Sequence, residues 1–355
     1  MEQLEQIVFA HISDLHFGAR GSKRRGLRHK ALGNRTHDSD LAEDLTNALT
    51  DAAAHLELES EADLHLVVSG DLTSVGADPE FDEVFQYIHQ RSAPDGIKPL
   101  SSPKPRRSFL VAGNHEHWKD SSWSPNPLDD RPQAFNKAIY DQSCFKKPVE
   151  VQCWSSGSGK LRLELFGVDS ASGLEPKTHN KRARGAISPK ELQLLEDELT
   201  KRDREPVPAG AVWLRAIVCH HSLYFGSKGQ TQKEYHQGAN SLDDYSRQRL
   251  LDIARKNSVC AILTGHIHIF GDPYAHEKPP ELRSPDSKPV WELNCTTTLQ
   301  DPVDGRPNAF WVHRVRLFGG KPEWFAIPYA SSSGLRFEEG KWSPLRPLTF
   351  RVQET

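Results

Sequence analysis

The sequence has no long hydrophobic run, no paired cysteine motif and no large excess of either charge. No apolar stretch approaches the roughly 20 residues that a helix needs to cross a bilayer, so no membrane span is predicted. The first 13 residues, MEQLEQIVFAHIS, contain two glutamates and only a short apolar run, which is not the pattern of a secretory signal. We therefore expect a soluble protein without a membrane partner.

Cysteine usage and net charge indicate where the protein is located and what kind of partner it can bind. The 5 cysteines are scattered and include no CxxC pair, which indicates reduced, packed thiols and a cytoplasmic location. The chain has 45 basic and 48 acidic residues, with a formal charge of −3, so any basic region must be local. Its 355 residues suffice for one large domain or two smaller ones.

Apolar runs that predict strands alternate with segments that predict helices over most of the chain. The strand at residues 7–12, for example, is followed by a helical stripe that begins at Leu41 and continues with Leu45 and Leu49. This alternation predicts an α/β architecture with a mostly parallel sheet. The C-terminal runs, such as VWELN and AFWVHRVRLF, have little helical signal and predict an antiparallel or mixed portion.

The clearest helix lies in SPKELQLLEDELTK. Ser188 is a predicted N-cap, Pro189 fits the first helical position, and Glu191 would complete a capping box. Leu192 and Leu195 recur at helical spacing and predict a buried face.

Polar side chains follow five of the predicted strands at the point where each strand ends. They are Asp14 and His16 in ISDLHFG, Asp71 in VVSGDLTS, Asn114, His115, Glu116 and His117 in LVAGNHEHW, His220 and His221 in IVCHHSLY, and His266 and His268 in LTGHIHIFG. In α/β sheets, ligands collect outside the carboxyl ends of strands. Buried carboxylates and imidazoles are costly unless they are paired or metal-bound. We therefore predict that these residues form a single site.

The residue types indicate the kind of metal. Carboxylate, amide oxygen and imidazole ligands without a thiolate suit Mn, Fe or Zn. The seven or eight candidates are too many for one ion, whereas two divalent ions that share a bridging carboxylate would use them all. The sequence therefore predicts a pair of metal ions.

The ordered set DLH, GD, GNHE, HH and GHIH, which spans residues 7–270, resembles the calcineurin-like metallophosphoesterases. The resemblance implies a four-layer α/β/β/α sandwich of two mixed sheets, with a dinuclear centre at one edge. We expect a catalytic domain over residues 1–330. Residues 331–355 would form a C-terminal extension that packs on this domain or extends it.

The resemblance also implies a role for each residue at the strand ends. Two sets of three ligands would hold one ion each: Asp14, His16 and His268 for the first ion, and Asn114, His220 and His266 for the second. Asp71 would bridge the ions, and a hydroxide between the ions would attack phosphorus. His115 would protonate the leaving oxygen, and Asn114 and His115 would also contact substrate.

Neighbouring residues are assigned supporting roles. His220 is preferred to His221 as the ligand, although Ser222 stands where family members often have proline. Glu116 is expected to orient its neighbours, and His117 is expected to be structural.

The segments GDLTSVGADPEFDEVFQYI and GAISPKELQLLEDEL resemble class III cyclic-nucleotide phosphodiesterases, which favours a nucleotide or cyclic nucleotide as substrate. An alternative is a nuclease that acts on DNA or RNA through the basic loop at residues 20–35, where Arg20, Arg24 and Arg25 would contact substrate. A second alternative is a metal-bound scaffold without activity, which the complete ligand set disfavours. The sequence does not predict an oligomeric state.

Overall fold

A computed structural model describes the following parts of the chain: residues 5–18, 39–56, 58, 63–74, 76, 78–89, 100, 107–117, 149–173, 184–223, 241–267, 274–276, 289–299, 308–331, 338–339 and 348–351.

These residues form α-helices and β-strands in the following order: β1 Gln6–Ile12, α1 Ser39–His55, β2 Leu64–Ser69, α2 Asp78–His89, β3 Ser108–Val111, β4 Val149–Ser155, β5 Leu161–Val168, α3 Pro189–Asp203, β6 Val212–Val218, α4 Asp244–Lys256, β7 Ala261–Thr264, β8 Tyr274–His276, β9 Val290–Asn294, β10 Asn308–Phe318, β11 Lys321–Ser331, β12 Glu338–Glu339 and β13 Leu348–Arg351. A short 3-10 helix, His115–His117, follows β3.

The strands form two mixed sheets. The first has the order β12-β11-β10-β1-β2-β3, with β13 also paired to β11. In it β1, β2 and β3 are parallel, whereas β10 is antiparallel to β1. The second has the order β4-β5-β6-β7-β9-β8, with β5, β6, β7 and β9 parallel. Because β1–β3 and β6–β7 come from parallel runs, the carboxyl ends of each run meet at one edge of its sheet.

Side-chain alternation along β5 shows how the layers stack. Leu163 and Leu165 point into the core between the sheets, whereas Phe166 and Val168 pack against the opposite core, which contains the buried faces of α3 and α4. Helices α1 and α2 pack against the first sheet, and α1 buries residues such as Leu45. The result is the predicted four-layer α/β/β/α arrangement of two mixed sheets.

Helix α3 begins as predicted, except for one contact. The Ser188 side chain accepts a hydrogen bond from the Glu191 backbone N–H at 3.2 Å, and Pro189 occupies the first turn. The predicted return bond from the Ser188 N–H to the Glu191 carboxylate is wrong. That N–H donates to Ser172 Oγ at 3.1 Å, and the Glu191 carboxylate instead accepts from the Asp169 N–H at 3.0 Å. Ser172 and Asp169, which lie outside the helix, therefore take the place of the predicted bond between Ser188 and Glu191.

The C-terminal segment contributes two short strands to the first sheet. Both β12 and β13 pair with β11. The division of the chain at residue 330 stays a prediction. Among the helices in the described ranges, none is both long and apolar enough to cross a bilayer.

Two fully buried histidines on adjacent strands, His11 and His313, have ring centroids 5.9 Å apart. His11 Nε2 lies 2.9 Å from Ser69 Oγ, and His313 Nδ1 accepts a hydrogen bond from Trp324 Nε1 at 3.0 Å. Burial lowers the pKa of His11 to about 3 and lowers the pKa of His313 well below its usual 6.5. Both rings are therefore neutral in the folded protein at pH 7.

The lowered pKa values of His11 and His313 predict that the folded protein becomes less stable at acidic pH. Below pH 6.5 the unfolded chain binds protons that the folded chain excludes, so the free energy of unfolding should fall by about 1.4 kcal/mol per pH unit for each ring. His313→Gln keeps an acceptor for Trp324 and should reduce this slope by about 1.4 kcal/mol per pH unit, which corresponds to one proton. The measurement is urea unfolding between pH 6.5 and 4.5 in the presence of a metal chelator. The exposed His55 is the control, and an equal change in slope for His55→Gln would contradict this assignment.

Candidate metal centre

The ends of β1, β2, β3, β6 and β7 bring the predicted polar residues together where the two sheets meet. Within the first sheet, Asp14 N donates to Gly70 O at 3.0 Å. Hydrogen bonds at the site also cross from the second sheet to the first: His266 N donates to Asp14 Oδ2 at 3.0 Å, and His220 Nδ1 donates to Ser69 O at 2.7 Å. The site is thus built from both sheets.

Asp71 lies at the centre of this arrangement. Its Oδ2 is 3.2 Å from Nε2 of His220, 3.6 Å from Nε2 of His115 and 3.9 Å from Nε2 of His16. Two groups with metal-ligand spacing share this carboxylate: His16, Asp71 and His115 form one, and Asp71, His220 and His266 form the other. A residue common to both groups is in the position that a bridging ligand requires.

Backbone carbonyls fix the orientation of two of these rings. His220 Nδ1 lies 2.7 Å from Ser69 O, and His115 Nδ1 lies 2.6 Å from Ser74 O. A carbonyl oxygen only accepts, so each Nδ1 carries the hydrogen. In the neutral ring, Nε2 therefore presents its lone pair towards Asp71, which is how protein frameworks prepare histidine to bind a metal.

A buried amide oxygen lies beside this cluster. Asn114 is 1% exposed, and within the described part of the chain its Oδ1 has no hydrogen-bond partner. An unsatisfied buried carbonyl is costly, and a divalent cation would satisfy it. The donor set of oxygen and imidazole thus fits a pair of hard or borderline cations.

Strained backbone marks the same residues. Among the described residues outside glycine, five have a positive φ, between 50° and 72°. Four of them are predicted ligands and one is remote: Asp14, His16, Asp71 and His266, with Ser258 as the fifth. Left-handed backbone at such residues costs roughly 1–3 kcal/mol each and is concentrated at functional sites. This strain supports a functional reading of the cluster.

Two glycines allow the strand ends to approach each other. A Cβ at Gly113 would collide with Asp71 Oδ1, and a Cβ at Gly265 would collide with Ser13 Oγ and lie 2.8 Å from Asp14 Oδ2. The glycines of the GNH and GHIH motifs are therefore required by contact with the carboxylates.

Glu116 joins two of the site loops, as the sequence predicted. Its Oε1 accepts hydrogen bonds from Thr73 N and Thr73 Oγ1, both at 2.9 Å, and its Oε2 accepts from Gly113 N at 2.7 Å. Burial raises the pKa of Glu116 to about 7, with a further contribution from Asp71, and the two backbone hydrogen bonds oppose this rise. Glu116 orients the loops on either side of Asp71.

The two consecutive histidines after β6 point to different partners. His220 faces Asp71, whereas His221 Nδ1 hydrogen-bonds with Ser170 Oγ at 2.7 Å. This geometry favours His220 as the ligand. Ser222, which stands where family members often have proline, donates from its hydroxyl to Glu292 at 2.6 Å.

Asp169, which follows β5, and Glu292, within β9, are two buried carboxylates near the site that the sequence analysis did not select. Asp169 Oδ2 lies 3.0 Å from His117 Nε2, which agrees with a structural role for that histidine. Asp169 had the same signal as the selected residues, an acid directly after an apolar strand. For Glu292 the available signal was an acid inside the apolar run VWELN.

Asp71 and His220 shift the pKa of each other within the cluster. Burial opposes ionisation of Asp71, but the nearby His115 and His220 hold its pKa well below the usual range. Burial opposes protonation of His220, but Asp71 raises the pKa of that ring to about 9. Burial lowers the pKa of His115 to about 4. A cation bound beside Asp71 would therefore take the place of the proton on His220.

Several predicted residues lie outside the described part of the chain. They are His268, a predicted ligand, and Arg20, Arg24 and Arg25 of the basic loop. Their assignments stay predictions.

The sequence profile of the calcineurin-like phosphoesterases matches residues 7–270, and the chain therefore belongs to this family. Members of the family carry out metal-dependent hydrolysis of phosphoesters at a dinuclear metal site. A search of curated protein sequences gives no match.

Three solved structures are similar to this chain at low identity. PhoD is 10% identical with a TM-score of 0.49, over 97% of this chain and 73% of PhoD. A conserved uncharacterized protein from Streptococcus pneumoniae, described as a predicted phosphoesterase, is 11% identical with a TM-score of 0.31, over 98% of both chains. Vps29 of Chaetomium thermophilum is 10% identical with a TM-score of 0.29, over 97% of both. The family assignment rests on the profile match.

The close approach at Gly265 predicts that Gly265→Ala disrupts metal binding, because its Cβ would displace Ser13 or the Asp14 carboxylate. Elemental analysis after dialysis should show at least one ion fewer per chain than the parent protein. Gly210→Ala is the matched control, since a Cβ there meets nothing within 4 Å although its φ is +76°. Full metal content in Gly265→Ala would show that this contact is not needed.

Proposed function

We propose that this phosphoesterase cleaves a phosphodiester bond of a nucleotide or cyclic nucleotide at a two-metal centre. The ligands are two sets of three residues and one bridge: Asp14, His16 and His268, then Asn114, His220 and His266, and Asp71 between them. The observation that carries the proposal is the convergence of three imidazole Nε2 atoms on Asp71 Oδ2 within 3.9 Å.

The proposed cofactors are two divalent ions, Mn, Fe or Zn. Bound as a pair, they would supply Lewis acidity towards the phosphoryl oxygens and activation of water at neutral pH. The protein contributes a fixed frame. Asp71 and Asn114 offer oxygen atoms, and the carbonyl of Ser69 holds His220 so that Nε2 faces the centre.

His115 is the proposed proton donor to the leaving oxygen. Its side chain is 12% exposed, whereas His16 and His220 are 1% and 0% exposed, so it is the most open of the three rings around Asp71. Its Nδ1 is held by Ser74 O, which leaves Nε2 to exchange a proton with substrate. Burial lowers the pKa of His115, and the negative charge of a bound phosphoryl group would raise that pKa again.

The preference for a nucleotide rests on the sequence segments that resemble class III cyclic-nucleotide phosphodiesterases. The first of these segments contains Asp71 and most of α2, and the second contains the start of α3. Asp71 belongs to the site, and Glu191, in the first turn of α3, accepts a hydrogen bond from the N–H of Asp169 near the site.

A nuclease is the second candidate. The segment between Phe17 and His37 contains seven basic residues and no acidic one, including Arg20, Arg24 and Arg25. It begins directly after Phe17, which bridges to Thr73 beside the site. A basic segment attached at this point would attract a polyanion.

Two substitutions separate metal binding from proton transfer. Asp71→Asn should lose metal and activity together, because the bridge loses its charge. His115→Ala should keep two ions per chain but lose about 10²–10⁴-fold in kcat on an alkyl phosphodiester, with a smaller loss on bis-p-nitrophenyl phosphate, whose leaving group needs no proton. Elemental analysis and steady-state kinetics provide the two readouts. An unchanged rate of His115→Ala on the alkyl ester would remove the acid assignment.

A substrate panel tests the chemical class. We expect Mn²⁺-dependent turnover of cyclic AMP to exceed that of single-stranded DNA and of a phosphomonoester, with little dependence on salt. Faster cleavage of DNA that rises steeply as salt is lowered would instead favour the nuclease. Absence of turnover on the whole panel, with two ions bound, would favour the scaffold.

A further inference from the structure

Glu292 is a buried carboxylate on β9, 2% exposed, whose Oε1 accepts three hydrogen bonds. Ser222 Oγ donates at 2.6 Å, Leu223 N at 2.9 Å and Thr264 Oγ1 at 3.1 Å. The Thr264 hydroxyl shares its hydrogen with Asn294 Oδ1, which lies 3.2 Å away. Hydrogen bonds to a buried carboxylate are among the stronger ones in proteins. This acid is therefore firmly attached to its donors.

The three donors flank two candidate ligands of the same ion. Ser222 and Leu223 follow His220 by two and three residues, and Thr264 precedes His266 by two residues. One carboxylate oxygen thus joins the loop that carries His220 to the strand end that carries His266.

The two imidazoles that these segments carry meet at the site. His220 Nε2 lies 3.0 Å from His266 Nδ1, and their rings are close to perpendicular, with an interplanar angle of 75°. Direct backbone contact also links the segments, since Gly265 N donates to His220 O at 2.8 Å. From β9, Glu292 contacts Ser222 and Leu223, which follow His220, and Thr264, which precedes Gly265.

We propose that Glu292 is a positioning residue that sets the separation of His220 and His266, and thereby the affinity for the ion that these two histidines hold. The inference rests on the proposed two-metal centre. Glu292 would not touch the ion or the substrate. It acts through Ser222, Leu223 and Thr264. Loss of a group that hydrogen-bonds a metal ligand directly typically changes metal affinity 10–100-fold, and for Glu292, which acts one residue further away, we expect a change of about tenfold.

Glu164 is a matched reference for this proposal. It is also a buried glutamate on a strand of the second sheet, 0% exposed, but its carboxylate pairs with Arg162 at 2.8 Å and with Arg215 at 3.1 Å. None of these three residues neighbours a candidate ligand in the chain. Loss of Glu164 should therefore lower stability without a selective effect on either ion.

The experiment measures binding of Mn²⁺ to the metal-free full-length chain, by elemental analysis for stoichiometry and by competition with a chelator for the two dissociation constants. In Glu292→Leu, one constant should rise at least about tenfold while the other stays within about threefold. Glu292→Gln keeps an oxygen in place of Oε1 and should restore most of the lost affinity. Glu164→Gln should leave both constants within about threefold.

A double variant identifies which ion is affected. His266→Ala should itself weaken the binding of one ion. Addition of Glu292→Leu should then change the dissociation constant of the other ion by less than about threefold, because both substitutions act on the same ion. A further tenfold loss in the double variant would place the effect of Glu292 elsewhere and overturn the inference.

Two outcomes separate this inference from the proposed centre. If the parent protein fails to bind two ions, the two-metal centre is wrong and the inference falls with it. If the parent binds two ions and folded Glu292→Leu binds them with unchanged constants, only the inference is wrong. Should Glu292→Leu fail to fold, Ser222→Ala combined with Thr264→Val removes two donors without touching the acid. Unchanged constants in that variant overturn the inference as well.

Discussion

The site depends on one carboxylate, Asp71, placed where two sheets meet. Imidazoles from three separate segments approach one of its oxygens within 3.9 Å, and a fourth segment, after β7, supplies His266. So many polar groups in a buried place are stable only if they neutralise one another or share a cation. The fold brings these groups together because the carboxyl ends of parallel strands lie at a common edge of the sheet.

The cluster is held by backbone geometry as much as by side chains. Cross-sheet hydrogen bonds connect His220 with Ser69 and His266 with Asp14, and four of the candidate ligands have left-handed backbone. Strain of this kind persists only where surrounding contacts over-determine it. Buried acids provide such contacts: Glu116 joins the loops on either side of Asp71, and Glu292 joins the segments that carry His220 and His266. The centre is therefore already arranged in the protein framework.

Strand ends and residue types could be predicted from the sequence because both are local properties. Apolar runs that end in DLH, GD and GNHE located the site, and hydrophobic alternation along the chain predicted the α/β class. The supporting contacts could not be predicted in the same way. Glu191 satisfies Asp169 rather than its own helix end, and Glu292 reaches donors on two other segments, because both contacts exist only after the sheets have stacked. Positive φ at Asp14 and His266 could not be predicted either. Asp and His adopt left-handed backbone more often than most residues, but most Asp and His residues do not, and tertiary packing selects the ones that do.

Anomalous diffraction from crystals soaked in Mn²⁺ tests the central claim most directly. We predict two peaks about 3.5–4 Å apart on either side of the Asp71 carboxylate, one beside Asp14 and His16 and the other beside Asn114, His220 and His266. A map without peaks there, or with a single peak that Asp71 does not contact, would contradict it.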